Sequence, residues 1–72
     1  MSEDTGRKTM SPGQRIRLVR GARTQAEFAL LIGKHKDDVI RYEADINAPS
    51  LLTLSKIAGI GNVTVEWLLH GK

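Results

Sequence analysis

The chain has 72 residues, no cysteine, and a single Trp, Tyr and Phe, so it must fold as one small domain on aliphatic burial, hiding only about 60% of the surface its unfolded state exposes. That size leaves no room for a second domain or for most enzymes, and without cysteine neither a disulfide framework nor a thiolate zinc site can form, which suits a reducing compartment. Eleven Lys/Arg against eight Asp/Glu leave a net charge of +3, a bias toward polyanions too mild to assign a partner by itself.

Residues 1–10 lack an apolar period and carry both signs of charge, so they are expected to form a mobile N-terminal arm, with the domain over 11–72. The N-terminus has no hydrophobic signal core. The longest apolar run, Phe28 to Ile32, falls far short of the roughly 20 residues that span a bilayer. A cytoplasmic location with no membrane partner is the expectation.

Ser11-Pro12-Gly13-Gln14 opens the first helix: a hydroxyl at the N-cap, proline where no N–H is needed, and Gln at N3 to complete a capping box. Ile16 and Val19 share a face with Leu18 beside them, and Gly21 stops the helix after Arg20. Thr24-Gln25-Ala26-Glu27 is a second capping box, and Phe28, Leu31 and Ile32 then recur as one stripe expected to be buried. Gly33 supplies a left-handed C-cap, and only Lys34 and His35 separate it from a third helix over about Lys36 to Ala44, with Asp37 and Asp38 in its first turn. Asp45 to Pro49 is turn-rich. Ser50 leads into a fourth helix carrying Leu51, Leu54, Ile57 and Ala58, which Gly59 and Gly61 are expected to end. Thr64 can cap a short fifth helix with Val65, Trp67, Leu68 and Leu69, ahead of Gly71. No segment alternates with period two, so the expected fold is all-α, with short helices around one aliphatic core.

The second and third helices, joined by so tight a glycine turn, have the form of a helix-turn-helix. At about 100° per residue, Val39 and Tyr42 fall on one side of the third helix, and Lys36, Asp37, Ile40, Arg41 and Ala44 on the other. Those outward groups match the donor and acceptor pattern of the DNA major groove: Arg41 and, less specifically, Lys36 for guanine, Asp37 for cytosine, Ile40 and Ala44 for thymine methyls. An ordinary solvated helix face is the competing reading, and an exposed isoleucine is what that reading explains least.

From Gln14 to Lys72 the sequence resembles the lambda-repressor-like, Cro/cI-type (XRE family) helix-turn-helix domains of phage repressors and small bacterial regulators. The resemblance is carried by Arg15-Ile16-Arg17 with Val19-Arg20, Thr24 to Ala29, Gly33, Val39 with Arg41-Tyr42-Glu43, Asn47 to Leu51, Leu54 with Lys56-Ile57-Ala58, and Val63 to Lys72. It implies a compact five-helix domain, a bacterial cytoplasmic or nucleoid location, and a double-stranded DNA partner. The base-reading positions fall on Lys36, Asp37 and Arg41, with Ile40 between them. A phosphate-gripping glutamine falls on Gln25, where a helix start also offers free N–H groups to an anion. A structural ion pair falls on Arg20 and Glu43.

The sequence departs from the family pattern in two places. Lys34 and His35 stand where many members carry an apolar residue and a Ser or Thr cap, and Asp45-Ile46-Asn47 replaces a glycine followed by basic residues. Phosphate contact is therefore expected from Asn47, Lys34 and Arg23. Trp67, Leu68 and Leu69 are open to two readings, core or dimer contact. A single recognition helix reads few base pairs, and the resemblance likewise implies a homodimer on a palindromic operator. His35 and His70 do not form a metal motif and no catalytic constellation is recognisable, so no cofactor, metal or enzymatic activity is expected. Two further readings remain: a protein-interaction module such as an antitoxin-like partner, and the head of a longer regulator.

Overall fold

The computed structural model describes residues 10–72. The arm expected over residues 1–10 thus lies, apart from Met10, outside the described residues, and Met10 itself is half-buried. Among the described residues there are five α-helices and no strand: α1 (Pro12–Arg20), α2 (Gln25–Ile32), α3 (Lys36–Glu43), α4 (Leu51–Gly61) and α5 (Val65–His70). None is long and apolar enough to cross a membrane.

Local sequence sets most helix starts. The Ser11 hydroxyl accepts the Gln14 N–H at 3.1 Å while the Gln14 carboxamide accepts the Ser11 N–H at 2.8 Å, so two of the free donors at the start of α1 are satisfied reciprocally. The Ser50 and Thr64 hydroxyls cap α4 and α5 by accepting the Thr53 and Trp67 N–H groups, and Ser50 also donates to the Thr53 hydroxyl. α4 continues past Gly59 and ends at Gly61, the second of the two glycines expected to stop it. Asn62, at φ 54°, supplies the left-handed cap, and packing holds the helix together past Gly59, a poor helix former.

The core joins Ile16 of α1, Phe28, Ala29 and Ile32 of α2, Val39 and Tyr42 of α3, Leu54, Ile57 and Ala58 of α4, and Leu68 of α5. Several expected core residues lie outside it. Leu31 is exposed because Ala29 completes the buried stripe of α2, which centres on Ile32; Leu18 and Leu51 are also exposed. Leu68 is wholly buried, which corrects the reading of it as a dimer contact: a side chain with no accessible surface cannot reach a second chain. Trp67 and Leu69 pack against the core and stay partly exposed.

Glycine decides how closely α1 approaches its neighbours. A Cβ on Gly13 would lie 2.5 Å from the backbone oxygens of both Tyr42 and Glu43, so the first turn of α1 seats directly on the end of α3 only because position 13 has no side chain. Asp45, in the left-handed region at φ 60°, accepts the Gly13 N–H at 2.8 Å and fastens the same junction. Two residues along α1, the buried Arg15 guanidinium donates to the Leu68 carbonyl at 3.2 Å, placing a cation and a donor at the carbonyl end of α5.

Candidate nucleic-acid interface

The turn between α2 and α3 is built from backbone. Gly33 adopts φ 70°, and the Lys34 N–H donates to the Ala29 carbonyl at 2.9 Å, the long bond of a left-handed helix stop. His35 begins α3 without a side-chain cap, and the Asp38 carboxylate accepts its N–H at 3.1 Å. Thr24 and Glu27 close the reciprocal box at the start of α2, with bonds of 3.0 and 2.8 Å.

α3 is anchored by one face and free on the other. Val39 and Tyr42 are buried, while Lys36, Asp37, Ile40 and Arg41 are exposed, Ile40 to 40%. Arg41 is not isolated: its Nη1 lies 3.9 Å from Asp38 Oδ1, a contact that the sequence reading did not name, although the i,i+3 spacing carries its signal. Burial raises the Tyr42 phenol pKa above its ordinary range, and the nearby Asp38 carboxylate adds to that rise.

The C-terminal end of α3 is a polar junction of three helices. Glu43 Oε2 receives Arg20 Nε at 2.6 Å, and Glu43 Oε1 receives both Arg20 Nη2 and Gln25 Nε2 at 3.1 Å. These side chains are largely buried, with 16% of Arg20 and 8% of Glu43 exposed. The hydrogen bond to Glu43 raises the Arg20 pKa against the opposing effect of burial. Arg20 Nη1 also donates to the Arg23 carbonyl at 2.9 Å, tying in the connection before α2. Gln25 is therefore oriented by the carboxylate that locks α1 to α3. One N–H of its amide is spent on Glu43 and the second is left for another acceptor.

The remaining expected site residues border the same helix. Lys34 is exposed in the turn before α3. Asn47 is exposed just after it, where the Ile46 and Asn47 N–H groups both point at the Arg41 carbonyl, at 2.9 and 3.4 Å. Arg23 is exposed, with its guanidinium 3.4 Å from the Arg20 carbonyl. Lys34 thus adjoins the N-terminal end of α3, and Arg23, Gln25 and Asn47 adjoin its C-terminal end. Among the described residues no group of three His, Cys, Asp or Glu is placed to hold a metal ion.

Comparison with known proteins agrees with this geometry. The family model described as Helix-turn-helix matches residues 14–68, which take in the whole of α2, the turn and α3. The chain belongs to that family. Among solved structures, this helix-turn-helix chain is similar to the P22 c2 repressor protein, crystallised in complex with synthetic operator 9T in the presence of Tl+. The TM-score is 0.82 at 23% identity, over 89% of this chain and 100% of the other, and it shows a shared lambda-repressor-like all-α fold. No curated protein matches the sequence.

Proposed function

We propose that this helix-turn-helix protein is a sequence-specific, double-stranded DNA-binding transcriptional regulator of the repressor kind, which inserts α3 into the major groove. The observation that carries this reading is the division of α3. A helix fixed by Val39 and Tyr42 presents Lys36, Asp37, Ile40 and Arg41 to solvent, a set able to meet guanine, cytosine and thymine edges. The free N–H of Gln25, the amides at the start of α2, and Arg23, Lys34 and Asn47 would then hold phosphates on either side. The operator bound by the P22 c2 repressor supports the same partner class.

The working unit in this reading is a homodimer on a palindrome, because one short helix contacts too few base pairs for a unique site. Trp67 and Leu69 remain available to such a contact. Ile46, Leu51 and Leu52, all more than two-thirds exposed around the α3–α4 connection, are further apolar surface that pairing could cover. The protein acts by occupancy, with no chemistry of its own.

The test is binding to an operator selected from random DNA. Arg41→Ala should weaken binding to that operator by about 1–3 kcal/mol and relax preference at one position, whereas Gln25→Ala should weaken all sequences alike. Equal operator affinity for wild type and Arg41→Ala would remove Arg41 from base readout. A second reading, a protein-interaction module such as an antitoxin-like partner, draws on the two acids in α3 and on Leu30 of α2, which is 81% exposed. Absence of any DNA binding at low salt would favour it over the first.

A further inference from the structure

We propose that Asp38 is a positioning residue for Arg41: its carboxylate, anchored on the backbone at the start of α3, restrains the guanidinium so that Arg41 answers to one base pair rather than to any phosphate within reach. The inference rests on the reading of α3 as the base-reading helix.

The two oxygens of Asp38 have separate tasks. Oδ2 accepts the His35 N–H at 3.1 Å, which fixes the carboxylate to the helix start, and Oδ1 faces Arg41 Nη1 at 3.9 Å. The side chains are 31% and 48% exposed respectively, so the acid is the sheltered, fixed partner and the cation keeps its outer edge in solvent. Asp37 stands four residues before Arg41, a spacing at least as favourable for pairing, yet the ion pairs among the described residues include none between them. Of the two acids opening α3, one is engaged with the arginine and the other is left facing out.

Two physical consequences follow for recognition. A free arginine loses rotamer freedom when it docks, and a tether removes part of that freedom beforehand. A carboxylate beside the guanidinium also offsets its charge toward phosphates in general, whereas the paired acceptors of a correctly placed guanine offer a forked, charge-assisted match. Asp38 thus raises selectivity mainly by weakening the wrong complexes.

The test uses the full chain with three duplexes: the selected operator, the same operator changed at the base pair read by Arg41, and random DNA. Asp38→Asn and Asp38→Glu both retain an acceptor for the His35 N–H, so thermal melts should show both folded, and they differ in charge. Asp38→Asn is expected to bind random DNA more tightly and to lose about two- to five-fold in discrimination at that base pair, the range expected of an exposed ion pair. Asp38→Glu should restore most of the discrimination. In an Arg41→Ala background, Asp38→Asn should leave discrimination unchanged. Wild-type discrimination in Asp38→Asn, or an equal loss without Arg41, would overturn the assignment. If Arg41→Ala itself relaxes no position, the base-reading proposal fails and this one with it; if Arg41→Ala relaxes one and Asp38→Asn does not, the Asp38 assignment alone fails.

Discussion

The two sides of α3 obey different rules. Inward, Val39 and Tyr42 sit in the aliphatic core and Glu43 holds three hydrogen bonds from α1 and α2. Outward, Lys36, Asp37, Ile40 and Arg41 touch solvent, and Arg41 approaches Asp38 at 3.9 Å. The first side sets where the helix lies; the second can change residue by residue without moving it. That separation leaves the outward residues free to vary, because the packing free energy resides on the inward side.

The comparison is broken most severely at Glu43. Glu43→Ala leaves the largely buried Arg20 guanidinium and the Gln25 amide without their acceptor, and should cost about 3 kcal/mol of stability in chemical denaturation. A loss below about 1 kcal/mol would mean that water replaces the carboxylate readily and that the junction does not fix α3. Val39→Ala removes two buried methyl groups and should cost about 2 kcal/mol, while Ile40→Ala, one residue along and on the outer face, should change stability by less than about 0.5 kcal/mol. Similar losses at both positions would refute the two-sided description. The smallest effect has the opposite sign. A Cβ on Gly59 meets nothing within 4 Å, so Gly59→Ala in the interior of α4 should stabilise the protein by about 0.5–1 kcal/mol, read as a higher denaturation midpoint.

Much of the fold was legible in the sequence because its signals are local. The capping boxes of Ser11 and Thr24 lie within single turns of chain, as does the left-handed stop at Gly33, and the period of α3 placed Val39 and Tyr42 inward. The errors arose where locality failed. Leu31 and Leu18 are as apolar as their neighbours, and only the angle at which the helices meet decides that Ala29 and Ile16 are buried in preference. Gly59 looks like a stop yet lies inside α4; Gly61 does end the helix, and a Cβ there would lie 2.7 Å from Val19 Cγ2, so this glycine serves close packing as well. On α3 the sequence pattern placed Lys36, Asp37, Ile40 and Arg41 outward, as they are, but did not show the hydrogen bond between Gln25 and Glu43 or the ion pair between Asp38 and Arg41.

By itself, then, the sequence determined a small aliphatic domain, the starts of its helices and the outward set on α3, since each depends on residues within a few positions of one another. Tertiary structure alone decided that Arg15 is buried against the end of α5, that Asp45 takes a left-handed conformation to hold the start of α1, and that Glu43 gathers Arg20 and Gln25. These pairs are 53, 32, 23 and 18 residues apart in the chain. No local propensity links groups at such separations; they meet because burying one core brings the helix ends together, and polar groups stranded there must then find one another.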